Sequence, residues 1–485
     1  MGPAIEYTGV MRSFLFTDLY ELTMAQGYFF GTRSEHVVFN MFFRRQPFDG
    51  GFAVFAGLED LLDTLEELRF SEDDCAYLES LGLFRAEFLE YLRDFRFQGT
   101  VDAVKEGTVV FPHEPLVQVS GKLVECQIIE SLLLNTVNYQ TLIATKTARI
   151  VHAAQGGAVL EFGMRRAQGP DGAMTAARAA YIGGASATSN TLAGKRYGIP
   201  VKGTMAHSWI MAFQDEYQAF RAYADLYPDA SVFLIDTYET LGSGIDSAIK
   251  VGLEMKEQGQ KMGVRLDSGD LDYLSHQVRR RLDAAGLEDA RITVSNELNE
   301  QIIAQLVATG APIDAWGVGT KLVTGEGDPS LTGVYKLVAV GPDAENLTPV
   351  IKVSNTPEKT TNPGAKKLYR LEDHDGHPLG DLIALASDEL PEEGQMTLFH
   401  PGNEHQYYRL TADVVKRPLL QCVMKDGIRL HEREDLTSLQ ARCKHELELL
   451  DATYKRVINP HVYKVSLSPA LKTLKFGMID RHRGS

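Results

Sequence analysis

Residues 262–282, MGVRLDSGDLDYLSHQVRRRL, hold one complete unit of the pattern that decides the fold. A short β-type run from Met262 to Leu266 ends in the polar cluster Asp267-Ser268-Gly269-Asp270. Leu271, Leu274, Val278 and Leu282 then recur at the spacing of a single helix face. Strand, polar turn and helix in that order build a parallel sheet, because a strand needs a crossover before its parallel neighbour can begin. Arg279, Arg280 and Arg281 on the same helix read as a solvated surface rather than as a phosphate site.

Outward from this unit the rhythm repeats. β-type runs fall near 158–162, 199–203, 231–235, 291–295, 313–318 and 333–340, mostly separated by stretches of helical period. The expected fold class is α/β, with an irregular TIM-like α/β barrel over residues 141–345. Upstream, a helix starts at Thr17 or Asp18, and Leu58, Leu61, Leu62, Leu65 and Leu68 mark another helix face. Helical sequence also runs over 71–93 and 125–153, while 96–121 reads as a compact antiparallel unit punctuated by Gly and Pro. Beyond about 345 the chain is polar and irregular, with short strands and a last helical stretch near 434–453. Residues 1–140 are therefore read as an N-terminal α/β domain, and 346–485 as a segment packing on or completing it.

Composition narrows the function classes. Of 485 residues, 49 are basic and 65 acidic, a formal charge of -16 that disfavours non-specific binding to nucleic acid or anionic membrane. An anionic substrate must then be held by local groups. Cys75, Cys126, Cys422 and Cys443 lie far apart and read as reduced, buried thiols. The start MGPAIEYTGVMRSF carries neither a secretory pattern nor a lipidation pattern, and no window approaches the ~18 apolar residues of a membrane span. A cytoplasmic location is the expectation.

In a parallel barrel the carboxyl ends of the strands share one mouth, so position tests chemistry. The runs end in Glu161-Phe162-Gly163-Met164-Arg165-Arg166, Gly203-Thr204, Asp236-Thr237, Arg265 through Asp270, Ser295-Asn296, and Gly317-Val318-Gly319-Thr320-Lys321. Singly, such residues cap helices or permit turns. Jointly, arginines, carboxylates, a histidine and a Gly-rich loop on one rim fit a phosphorylated, metal-bound substrate. Asp236, Asp267 and Asp270 are hard enough for Mg2+ or for ribose hydroxyls, and the loop Gly317, Gly319, Thr320 suits a sugar phosphate. His207 reads either as a hydrogen-bonded structural residue or as a general base or nucleophile. No Walker A pattern or G-x-G-x-x-G fingerprint is present.

The joint motifs TDLYELTMAQGYF (17–29), EFGMRRAQGPDGA (161–173), KGTMAHSW (202–209), VRLDSGDL (264–271) and WGVGTKLVTG (316–325) resemble the nicotinate phosphoribosyltransferases. The resemblance covers about 16–340. It implies a type II phosphoribosyltransferase fold, in which a second α/β domain is formed from N- and C-terminal segments. It implies that nicotinate and 5-phosphoribosyl 1-pyrophosphate give nicotinate mononucleotide and pyrophosphate, the first step of NAD salvage from nicotinate, with ATP hydrolysed and Mg2+ as cofactor. On this resemblance His207 is the catalytic residue and is phosphorylated by ATP. Arg165, Thr204 and Arg265 meet nicotinate, and Asp236, Asp267, Gly317, Gly319 and Thr320 meet the phosphoribosyl group. Tyr20 stacks on the pyridine ring from the other subunit of a homodimer; read without the motif, it is a core or interface aromatic.

Two other readings stand beside this one. Nicotinamide phosphoribosyltransferases place an acid just after Gly-Thr, where this chain has Met205; methionine tolerates a carboxylate substrate that an acid would repel. A non-catalytic phosphosugar-binding barrel would have no need of His207.

Overall fold

Strand His36–Phe43 is buried along nearly its whole length, as expected of a strand inside a sheet with both faces covered. It lies antiparallel between Gly333–Gly341 and Val117–Lys122 in a seven-stranded sheet. The computed structural model describes residues 15–31, 35–354, 356, 359–403, 405–411 and 413–483. The reading of the first 14 residues lies outside the described residues. The chain divides into two units, Met1–Thr145 with Ser330–Ser485, and Lys146–Pro329.

In the first unit the seven-stranded sheet runs Thr348–Pro349, Gly333–Gly341, His36–Phe43, Val117–Lys122, Thr100–Ala103, Gln421–Lys425, Ile428–Arg429. The run at 333–340 therefore belongs here and not among the parallel strands. Its registry with His36–Phe43 buries Tyr335 against Phe39, the rings stacked at 4.6 Å. A second, six-stranded sheet is built wholly from C-terminal residues, with Pro378–Leu385 between Val465–Leu467 and Lys366–Glu372.

Buried polar groups tie the distant segments together. Lys366 Nζ donates to Asn40 Oδ1 at 2.6 Å, and Arg370 forks onto Asp381 at 3.0 and 2.8 Å while reaching Glu446 at 2.6 Å and the Val109 carbonyl at 2.7 Å. A guanidinium taken out of water needs such partners at nearly every N–H. The sequence stretch 71–93 forms two helices, Glu72–Ser80 and Ala86–Arg93, parted by a turn in which Gly82 adopts a φ of 66°. Cys75, Cys126 and Cys443 are buried; Cys422, near the sheet edge, is exposed, contrary to the expectation for all four.

The second unit is a six-stranded parallel sheet in the order Ala187–Thr188, Ala158–Glu161, Ala315–Val318, Arg291–Val294, Gly263–Leu266, Val232–Leu234. Val201 adds a single parallel bridge to Thr188, so the run at 199–203 is a one-residue contact rather than a full strand. Helix Leu271–Ala284 buries Val278 and Leu282 as its spacing requires. Its arginines brace the neighbouring turn: Arg279 donates to the Ala290 and Leu287 carbonyls at 2.6 and 2.8 Å, and Arg281 reaches Asp246 at 3.0 Å. Among the described residues, no helix is long and apolar enough to cross a membrane.

Candidate active site

Arg265 lies on strand Gly263–Leu266, and its Nη1 donates to the hydroxyl of Thr204. The Arg265 Nε is buried without a hydrogen-bond partner, and burial pulls the guanidinium below its usual pKa, with Arg165 adding repulsion. A buried cation with an unused donor suits an anionic guest. Met205 beside Thr204 is buried and contributes no charge. A side chain built on Gly203 would meet nothing within 4 Å, so the backbone here borders open space that a ligand could enter.

His207 opens the short helix His207–Met211. Its Nδ1 lies 3.2 Å from the Thr237 hydroxyl, and its Nε2 lies 3.8 Å from Asp267 Oδ2. One polar group therefore stands at each ring nitrogen, which fixes the plane of the imidazole and leaves it partly exposed to a reactant.

The carboxylates are held by the ends of adjacent strands. Asp236 Oδ2 accepts from the Asp267 backbone N–H at 2.9 Å and from the Ser268 hydroxyl at 2.6 Å, while Oδ1 is buried without a hydrogen-bond partner. Asp267 Oδ1 accepts from the Ser295 hydroxyl. Asp270 instead caps helix Leu271–Ala284, accepting from the Tyr273 N–H at 3.1 Å, which explains its place in the sequence without a ligand. These three aspartates do not form a cluster of three ligand atoms within 4.8 Å of one another.

The glycines of the 317–320 segment differ in purpose. Gly317 is buried, and a Cβ there would sit 2.7 Å from the Phe162 ring, so this glycine serves packing rather than lining a loop. Gly319 precedes helix Thr320–Val323 with φ -110° and ψ -103°, a backbone shape few side chains tolerate. The first backbone N–H groups of that helix have no partner within it and suit a phosphate.

Arg165 is exposed in the turn Met164–Arg166, which Glu161 anchors by accepting from the Gly163 N–H. Burial raises the Glu161 pKa, and the Thr188 hydroxyl also donates to it, at 2.5 Å. Tyr20 lies in the first unit on helix Leu19–Gly31, half exposed beside exposed Leu19 and Met24. Its phenol is pushed well above the usual range by burial and by the neighbouring Glu21.

Family models for the nicotinate phosphoribosyltransferase N-terminal domain, family and C-terminal domain match residues 15–138, 158–377 and 365–475. A nicotinate phosphoribosyltransferase of Bacillus subtilis is 45% identical, covering 94% of this chain and 92% of its own. The chain belongs to the nicotinate phosphoribosyltransferase family. A crystal structure of human nicotinic acid phosphoribosyltransferase superposes with a TM-score of 0.83 at 34% identity, over 95% of this chain and 99% of that one. A nicotinate-nucleotide pyrophosphorylase from Pyrococcus furiosus shares the fold alone, with TM-score 0.70 at 22% identity.

Against this family, the C-terminal match at 365–475 falls where the motifs gave no reading. Thr237, the partner of His207, was also passed over as a site residue. Its only signal in the sequence was its place next to Asp236, at the end of a strand.

Proposed function

We propose that this member of the nicotinate phosphoribosyltransferase family joins nicotinate to 5-phosphoribosyl 1-pyrophosphate, giving nicotinate mononucleotide and pyrophosphate. The observation that carries the reading is Arg265, a mostly buried guanidinium bonded to Thr204 with a donor to spare, beside an uncharged Met205. That pocket favours a pyridine carboxylate over an amide, which would call for an acceptor where the methionine stands. The pyridine nitrogen forms a bond to the ribose C1 as the C1–O bond to pyrophosphate breaks. The transition state has oxocarbenium character, so aligned positioning by Arg265, Arg165 and Thr204 does most of the work. Gly319 and Thr320 hold the sugar phosphate by backbone and hydroxyl donors.

The donor set fits Mg2+: Asp236 and Asp267 are hard oxygen ligands, and Asp236 Oδ1 is buried with no hydrogen-bond partner. Bound there, the ion would offset charge on the departing pyrophosphate. ATP is the co-substrate: a ring nitrogen of His207 takes its terminal phosphoryl, forming an N–P bond as the bond to ADP breaks, and water later removes it as phosphate. Thr237 and Asp267 position the ring for this step.

The second unit is read as an irregular barrel, because Thr204 and His207, which follow the Val201 edge, bond to Arg265 and Thr237 at the opposite side of the sheet. Exposed Leu19, Tyr20 and Met24 on one helix support a homodimer to which Tyr20 contributes. A cytoplasmic location accords with these soluble substrates.

Incubation with γ-labelled ATP tests the reading. Acid-labile, base-stable label on wild type, lost in His207→Ala and slowed about tenfold in Thr237→Val, is the expected result. Label retained in His207→Ala would reject the phosphohistidine, and no mononucleotide from nicotinate with all substrates present would reject the transferase.

A further inference from the structure

The first unit contains a cavity of about 670 Å3 whose lining, among the described residues, holds the basic side chains His113, His400, His461, Lys464 and Lys475 and no aspartate or glutamate. In a chain carrying a formal charge of -16, five basic side chains gathered with no acid among the described lining residues need a reason. They come from separate elements. His113 precedes strand Val117–Lys122 in a left-handed conformation, φ 70°, His400 follows Gln395–Phe399, Lys464 precedes Val465–Leu467, and Lys475 lies on helix Pro469–Arg483.

Lys475 is the most telling. It is 6% exposed, and its ammonium donates to Asn362 Oδ1 at 2.9 Å and to the Pro401 carbonyl at 2.8 Å. Both acceptors are neutral, no ion pair to it is found among the described residues, and an ammonium has three N–H groups. A buried cation without a counter-ion is costly. Burial accordingly draws its pKa down to about 8, and its charge in turn helps depress His113, to about 4, and His400 and buried Lys366, burial being the larger cause for each. Tyr407 and Tyr408 line the same cavity, with the Lys464 ammonium 5.0 Å from the Tyr408 ring centre, so a flat ring has aromatic surface to rest on.

We propose that this cavity is a second ligand site, binding a nucleoside monophosphate or a phosphorylated molecule of that size, its phosphate on Lys475 and the histidines. The volume lies within the range of small-molecule pockets and exceeds what one inorganic ion fills. Lysine and imidazole donors without a guanidinium fork suit a compact, multiply charged phosphate. The phosphate supplies the missing counter-ion to Lys475.

Titration calorimetry with AMP as the probe, on the full chain and on Lys475→Gln and Lys464→Gln, tests this together with a tungstate soak located by anomalous scattering. Expected results are AMP affinity at least tenfold weaker in Lys475→Gln and about threefold weaker in Lys464→Gln, no binding of adenosine, and tungstate beside Lys475. Above pH 8, AMP binding to wild type should take up a proton that Lys475→Gln does not, because the anion restores the ammonium that burial disfavours where it faces His113, His400 and Lys366. Should Lys475→Gln not fold, Lys464→Gln, altered at an exposed position, decides the affinity arm. Unchanged AMP affinity in the folded variants, equal binding of adenosine, or tungstate only at the ends of the parallel strands would overturn the proposal.

Discussion

Arg265 concentrates the chemistry of the parallel-sheet site in one side chain. Its Nη1 is committed to Thr204 and its Nε is buried and unpaired, so the guanidinium is oriented before any ligand arrives. Orientation matters because a carboxylate is best held by a planar fork. Arg265→Ala should lower kcat/KM for nicotinate by about a hundredfold, chiefly through KM, in line with roughly 2–5 kcal/mol for removing one partner of a buried charge pair. Arg265→Lys should recover little of it, since an ammonium cannot reproduce the fork. Steady-state kinetics with nicotinate varied at saturating co-substrates measure both. The arginine was legible in the sequence as a strand-end residue. Its bond to Thr204 was not, because those residues are 61 positions apart and meet only in the folded chain.

At the scale of elements, two neighbouring strand ends are fitted by a glycine. Gly317 on strand Ala315–Val318 faces Phe162, the residue after Ala158–Glu161, and an added Cβ would lie 2.7 and 2.8 Å from the ring. Overpacking of this kind costs about 1–3 kcal/mol. Gly317→Ala should therefore lower stability by that amount in chemical denaturation, and should reduce activity by displacing the turn that carries Arg165. Phe162→Leu in the same chain should restore part of both by clearing the ring. Equal loss in the single and double variants would mean that the glycine is needed for its contact with ligand instead. The sequence alone placed Gly317 in an anion loop with Gly319, because two glycines around a strand end look alike until their neighbours are known.

Across the whole molecule, the first unit is closed by C-terminal residues that bring buried charges to the N-terminal segment. Glu114 accepts from the Phe111 N–H at 2.8 Å and lies against Asp381, which Arg370 and Tyr463 also bind. Burial, then the Asp381 charge, pushes the Glu114 carboxyl well above its ordinary pKa of 4.5. The folded chain thus keeps a proton that the unfolded chain releases, so the stabilisation is full below about 4.5 and declines as pH rises toward the folded value. Glu114→Gln keeps a donor toward Asp381 and has nothing to ionise. Its stability relative to wild type should rise with pH above 4.5, by about 1.4 kcal/mol per unit, until the folded value is reached. Urea unfolding of both proteins across pH 4 to 8 gives the difference directly, and parallel curves would show Glu114 ionised in the folded state.

The strand and helix periodicities of 262–282 and the polar residues closing each strand are local properties, so the sequence by itself determined the α/β class, the family motifs and the neighbourhood of the site. Which residues do separate jobs there was decided by tertiary structure. Asp270 is a helix cap while Asp236 keeps a free buried oxygen, although both are strand-end aspartates. The strand Gly333–Gly341 joined His36–Phe43 because antiparallel pairing and the stacking of Tyr335 on Phe39 depend on residues almost three hundred positions away. The basic cavity is of the same kind. Its histidines and lysines are scattered from 113 to 475 with no motif, and only the folding of the C-terminal segment onto the N-terminal one makes them a single surface.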